Sequence, residues 1–235
     1  MSDPVKRSIF YGRRQGRPLR KKATELIETV LPKILVPLGN LDDVEPIDLN
    51  ELFGNTARET WLEIGFGGGE HLAWQAEHNP DVNLLGAEYF INGVASLLGH
   101  LDDNGAENVR IYRGDVRDMM PFIPDNSLSK IFILFPDPWH KTRHNKRRII
   151  QRETLDRLAE LLVDGGELRM ATDDMGYLQW MLERMAPHPE FKWKATSKRD
   201  WNQRTADWPK TRYEEKGIKK GCKPGYLRFN RIPRV

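Results

Sequence analysis

Trp61-Leu62-Glu63-Ile64 runs straight into Gly65-Phe66-Gly67-Gly68-Gly69, and a helical pattern resumes at Glu70. A strand that passes into a helix through glycines spaced two apart points to a layered α/β sheet. The glycines let the main chain turn tightly and let a ligand approach it. The alternation continues along the chain. The pattern predicts a strand over 60–65, a helix over 70–77 that stops near Asn79-Pro80, and a strand over 82–88. It then predicts a helix over 92–101 and strands over 109–113 and 130–135. The last of these, KIFILF, is apolar enough to be buried on both faces. A helix over 149–162, stopped by Gly165-Gly166, precedes a strand over 167–171 and a helix over 177–185. Strands alternating with helices imply a mostly parallel sheet covered on both faces.

The two ends read differently. Residues 1–22 are rich in Arg, Gly and Pro and carry a net charge of +7, as expected of a flexible arm. A helix is expected over 22–35, limited by Pro32, then an irregular stretch over 37–59. Residues 192–235 carry +10, with strand-like pieces at 191–195 and 226–230 around a long polar loop. The region between the ends is left at −14. Two basic ends around an acidic body suit either solubilising tails or a surface for a polyanion. The domain reading is a basic arm and helical lead-in at 1–54 and one catalytic domain at 55–235.

Composition excludes several classes. The mean hydropathy is −0.64, and the longest apolar run, Ile131 to Phe135, is far too short to span a bilayer. No secretory signal core is visible at the N-terminus, so a soluble cytoplasmic protein is expected. Cys222 is the single cysteine, which excludes an internal disulfide and a cysteine-cluster zinc site. His140 and His144 stand in a proline-containing loop without a third ligand nearby, so no metal is expected.

Three predicted strands end in acids: Glu63, Glu88 and Asp115. Ligands of open α/β sheets bind beyond the carboxyl ends of the strands. An acid beside the glycine turn suits a cationic ligand better than a pyrophosphate. Glu88 can accept both hydroxyls of a ribose, and Asp115 can meet an adenine. S-adenosylmethionine, which carries an ammonium and a sulfonium and no phosphate, fits that donor set. The glycines Gly65, Gly67 and Gly69 would cradle it. The fourth strand leaves through Phe135-Pro136-Asp137-Pro138-Trp139-His140-Lys141, whose prolines fix where Asp137 points. Residues 141–148 then read KTRHNKRR, with five Lys/Arg and no acid. Trp201, Trp208, Tyr213, Tyr226 and Phe229 lie among basic residues, suited either to stacking bases or to a small local core.

FPDPWHKTRHNKRR, together with E-x-G-x-G-x-G, closely resembles the bacterial tRNA (guanine-N(7)-)-methyltransferases. Thr172-Asp173 with Tyr177, and Thr211-Arg212-Tyr213-Glu214, are similar to two further motifs of that family. The resemblance implies a Rossmann-like class I methyltransferase fold. Glu63, Glu88, Asp115 and Asp137 would bind S-adenosylmethionine, and Asp137 would also sit at the reacting centre. Lys141, Asp173, Thr211, Arg212, Tyr213 and Glu214 would contact substrate. Arg143, His144, Asn145, Lys146, Arg147 and Arg148 would form an RNA-binding loop. The implied reaction is methylation of nitrogen 7 of the guanine in the tRNA variable loop. The implied partner is tRNA, with no membrane or metal, and a monomer is expected rather than a homodimer. Three other readings stand beside it: a methyltransferase acting on another RNA, one acting on protein or small molecules, and a non-catalytic RNA-binding protein on a Rossmann-like core. A nicotinamide-dependent oxidoreductase is disfavoured by the glycine spacing.

Overall fold

The computed structural model describes residues 12, 14–56, 59–219 and 221–234. The chain forms two compact units, 1–124 and 125–235. Most of the arm expected over 1–22 lies outside the described residues.

The first unit begins with α1 (Lys21–Thr29), α2 (Leu31–Ile34) and α3 (Leu49–Phe53). Its layered part is β1 (Glu59–Ile64), α4 (Glu70–His78), β2 (Val82–Ala87), α5 (Ile91–Asn104), β3 (Val109–Tyr112) and α6 (Val116–Met119). All three strands are parallel, in the order β3-β2-β1. Leu62, Leu84, Leu85 and Ile111 are almost wholly buried, as are Val94, Leu97 and Leu98 of α5. The apolar runs of the sequence are therefore strands covered on both faces. The single helix expected over 22–35 is broken. α1 ends at Thr29, Pro32 stands in the first turn of α2, and Leu35 leaves extended to bridge Ile111. Val36 donates its N–H to the Ile111 carbonyl at 2.8 Å, so the lead-in satisfies part of the edge of β3.

The second unit contains β4 (Leu128–Leu134), α7 (Arg152–Leu161), β5 (Leu162–Thr172) and α8 (Met175–Met185). It continues with β6 (Phe191–Trp193), α9 (Arg199–Asn202), α10 (Arg212–Lys219) and β7 (Gly225–Arg231). β4 and β5 are parallel, while β7 is antiparallel to both β5 and β6. α7 starts at Arg152 rather than at 149, because Gln151 is extended at φ −126° and ψ 161°. The strand expected at 167–171 begins at Leu162, directly after the helix. Gly165, at φ +81°, lies inside it, and the register shifts between Leu128 and Lys130. The polar loop expected between the last two strands holds α9 and α10. Among the C-terminal aromatics, Trp208, Tyr226 and Phe229 are buried and form local core. Tyr213 is 53% exposed. No helix among the described residues is long and apolar enough to cross a membrane.

Candidate functional site

In the first unit the three acids stand on neighbouring strand ends. The register aligns Ile64 with Ala87 and Ala87 with Tyr112. Glu63 is thus one residue before that rung, Glu88 one after it, and Asp115 three after it. Each is held differently. Glu63 is 3% exposed, and its Oε2 lies 2.7 Å from Nδ1 of His71, on α4. Nε2 of His71 meets the Gln75 side-chain amide at 3.1 Å, so the imidazole faces a polar group on each side. Glu88 accepts the N–H of Gly67 at 2.9 Å on one oxygen and those of Tyr89 and Phe90, each at 2.8 Å, on the other. Asp115 caps α6 by accepting the Arg117 N–H, and also takes the Arg117 guanidinium at 2.9 and 2.5 Å.

The glycine turn fits what the sequence requires of it. Gly65, Gly67 and Gly69 have φ of +70°, +55° and +76°, a region costly for any residue with a Cβ. A Cβ on Gly69 would strike Leu97 at 2.5 Å, so that glycine serves the packing of α5. At Gly65 and Gly67 a Cβ would meet nothing within 4 Å, which leaves the main chain open to a ligand. The turn carries no Lys or Arg, and the strand ends beside it carry carboxylates, which are hydrogen-bond acceptors only. This donor set accepts hydroxyls and cations and suits S-adenosylmethionine better than a phosphate.

One contact beside this turn has no signal in sequence. Gly16 donates its N–H to Asn92 Oδ1 at 2.7 Å, and Asn92 Nδ2 donates to the Arg17 carbonyl at 2.7 Å. Ile91 donates its N–H to the Arg14 carbonyl, and the Arg14 guanidinium lies over the Tyr89 ring at 5.6 Å. Residues 14–17 are therefore fastened to the start of α5.

In the second unit, β4 extends its ladder by one bond, Phe135 N–H to the Ala171 carbonyl at 2.7 Å, and then turns sharply. Phe135 and Trp139 have φ of +52° and +46°, two of the three non-glycine residues described with positive φ. Strain of about 1–3 kcal/mol at each persists only where surroundings over-determine it. The surroundings here include Arg148. It is 8% exposed, donates Nε to the Pro138 carbonyl at 2.8 Å, and lies 5.0 Å from the Tyr177 ring centroid and 4.5 Å from that of Trp180. Asp137, between the two prolines, is exposed.

The basic run folds into a 3-10 helix over Thr142–Arg147. Lys141, Arg143 and Lys146 are exposed. Arg147 lies over the Trp139 ring at 5.1 Å, and His144 packs edge-on against that ring. Partial desolvation, then the charges of Arg147, Arg143 and Lys141, hold His144 below the usual imidazole range. Asn145 accepts on its carbonyl from Gln151 Nε2 and from the Arg148 N–H. Arg148 alone of the run is buried as a whole residue.

Asp173 comes directly after β5, and its Oδ2 would lie 2.9 Å from a Cβ on Gly217 of α10. Thr211 caps α10 by accepting the Glu214 N–H at 3.2 Å. Tyr213 packs on Phe135 with ring centroids 5.4 Å apart. Its phenol is raised above the usual range, first by burial and then by the charges of Asp173 and Asp137. The charges of Asp173 and Asp137 thus both reach the Tyr213 phenol, which stays protonated. Arg212 is exposed. Glu214 is 3% exposed, accepting the Tyr226 hydroxyl at 2.5 Å and lying 3.3 Å from Arg204 Nε.

Comparison with known proteins agrees with this geometry. Residues 57–224 match a family model described as "Putative methyltransferase". A tRNA (guanine-N(7)-)-methyltransferase of Rhodospirillum rubrum is 49% identical over 99% of this chain and 91% of its own. Those of Ruegeria pomeroyi and Caulobacter vibrioides are each 46% identical, covering 96% and 94% of this chain and 95% and 94% of theirs. Among solved structures, the 16S rRNA methyltransferase KamB aligns with a TM-score of 0.54 at 12% identity, over 80% of this chain and 95% of that one. An rRNA methylase from Streptococcus thermophilus aligns at 0.52 and 13%, over 75% and 89%. These likenesses show the Rossmann-like methyltransferase fold.

Proposed function

The chain belongs to the tRNA (guanine-N(7)-)-methyltransferase family, and from that premise we propose how its residues divide the work of methylating guanine in the tRNA variable loop. S-adenosylmethionine, when bound, supplies a methyl group on a sulfonium, ready for in-line displacement. Gly65 and Gly67 with Glu63, Glu88 and Asp115 hold the cofactor, and Gly69 packs the turn against α5. Glu88 takes the ribose hydroxyls, and Glu63, kept in place by His71, faces the cationic end.

Nitrogen 7 of guanine has a free lone pair and no proton to lose, so the protein needs no nucleophile of its own. Its task is alignment. Alkylation leaves positive charge on the purine. Asp137 stabilises that charge and accepts from the Watson–Crick edge, with Asp173 and the protonated Tyr213 beside it. Thr211 and Glu214 set the start of α10, which presents Arg212 and Tyr213 to the substrate. Lys141, Arg143, His144, Asn145, Lys146 and Arg147 meet the RNA backbone, whereas Arg148 braces the Asp137 turn. The reading is carried by one observation: an exposed carboxylate set between two positive-φ residues, the first of which packs on Tyr213.

The test is to incubate the protein with S-adenosylmethionine and tRNA lacking the modification, digest the RNA, and seek 7-methylguanosine by mass spectrometry. It is expected at the variable loop. Asp137→Asn is expected to lower turnover far more than tRNA affinity, and an equal loss in both would remove Asp137 from the reacting centre.

A further inference from the structure

The second unit contains a cluster of basic side chains that the proposed methyl transfer does not use. A cavity of about 290 Å³ is lined by Lys194, Arg199, Asp200, Gln203, Arg204 and Arg228, among others. Its one acid is already committed. Asp200 Oδ2 accepts from the N–H and hydroxyl groups of both Thr196 and Ser197, at 2.8–3.1 Å. The carboxylates behind the cavity are overdrawn. Glu167 takes Arg169 Nε and Arg228 Nε at 2.7 Å each and Lys194 Nζ at 3.4 Å. Asp207 takes Arg169 Nη2 at 2.6 Å. Two acids thus face three cations, and Arg199 adds a fourth, which donates to the neutral Gln203 side chain at 3.0 Å. Arg169 is 3% exposed, and its Nη1 is buried without a hydrogen-bond acceptor. With Asp200 counted, three acids stand among four cations, so the cluster is short of one anion, and a buried donor left unmet is costly.

The geometry points to a phosphate-binding site here, taken by a phosphodiester of the RNA backbone outside the guanine that reacts. This rests on the methyl transfer to tRNA proposed for the chain. Phosphate oxygens are acceptors only, which is what the cavity lacks, and the terminal guanidinium nitrogens of Arg199 and Arg228 match them in fork geometry. Arg204 ties the site to base recognition. It lines the cavity while donating to the Trp208 carbonyl and pairing with Glu214 of α10. A strand seated in the cavity is therefore registered against the segment that carries Tyr213. Phosphate contacts of this kind position a nucleic acid without reading its sequence.

The experiment uses Lys194→Gln, Arg199→Gln and the double variant, with full-length tRNA. Arg199 is exposed, and Lys194 makes only a long contact to Glu167, so folding should persist, checked by thermal melting. Each single change is expected to raise the Kd for tRNA about three- to tenfold and to lower the slope of log Kd against log salt by about one. Turnover at saturating tRNA should stay at the wild-type value. A double variant with wild-type Kd and salt slope would overturn the site. So would inorganic phosphate raising the melting temperature of the wild type alone while tRNA affinity is equal in both, since that marks a site for the free anion. Wild-type enzyme measured alongside separates the two failures. If it makes 7-methylguanosine and the variants bind tRNA normally, only the phosphate site is lost. If it makes none, the proposed methyl transfer itself is lost.

Discussion

Replacing Arg148 separates two roles that its sequence context leaves indistinguishable. As a member of KTRHNKRR it reads as a phosphate ligand. In the structure its guanidinium is buried against the Pro138 carbonyl, Tyr177 and Trp180. Arg148→Ala deletes one hydrogen bond from a charged donor, worth about 1.5–3 kcal/mol. It also deletes two desolvated cation–π contacts of about 1 kcal/mol each. The expected destabilisation is about 3–5 kcal/mol, read as a lower urea midpoint at unchanged slope. Arg148→Lys keeps the charge but not the planar stack, and should recover only part of it. Because the lost bond holds the residue after Asp137, turnover should fall by about one to two orders of magnitude under conditions where the variant is folded, since small misplacements are that costly. Affinity for tRNA and its salt dependence should barely move. The opposite pattern, unchanged turnover with weaker binding and a salt slope reduced by about one, would refute the brace and return Arg148 to the RNA.

Three other outcomes are expected from particular contacts. A Cβ on Gly93 would lie 2.2 Å from the Gly67 carbonyl, whereas one on Gly99, in the same helix, would meet nothing. Gly93→Ala should therefore destabilise by about 1–3 kcal/mol and abolish cofactor binding in calorimetry, while Gly99→Ala should stabilise by about 0.5–1 kcal/mol. Asn92→Ala removes both side-chain bonds to residues 16 and 17 and should speed tryptic cleavage after Arg14 and Arg20, Arg17 being protected by Pro18, without lowering the melting temperature. Burial opposes the charges on Glu167 and Asp207, but Arg169 outweighs it for both, aided by Arg228 at Glu167 and by Thr205 at Asp207. Both carboxyls are held below their usual range. Their contribution is present above the unfolded values near pH 4 and is lost as the pH falls through the lower folded values. Arg169→Met should flatten that acid limb of the melting-temperature profile.

β1, β2 and the apolar part of β4 are legible because they are runs of buried residues, whereas β3 alternates and β6 is largely exposed; an acid or a proline stands at or just beyond the ends of β1 to β4. As candidates for the site, Glu63, Glu88, Asp115 and Asp137 can be named from position alone. Their partners cannot. His71, Arg117 and Arg148 act through contacts that no periodicity encodes, and Arg148 is indistinguishable in sequence from the exposed Arg143. The helix expected over 22–35 is two helices because Pro32 fits the first turn of a new helix as well as it ends an old one. α10 has the sequence of a loop because its face is polar apart from Ile218 and Tyr213, and its burial is carried by Glu214 and Gly217. Glu214 belongs to a motif expected to touch substrate. Its contacts to Tyr226 and Arg204 arise only when α10 lies over β7.

Glu88 joins the glycine turn to the two residues that lead into α5 through three main-chain amides. Those amides, Gly67, Tyr89 and Phe90, should exchange their protons with solvent together rather than independently, since all three are released when one side chain swings away. Aspartate at this position, one methylene shorter, would have to give up one of the two groups it holds. The spacing between loop and helix therefore tolerates a single side-chain length, and a change of one carbon there would be read across the whole cofactor edge of the sheet.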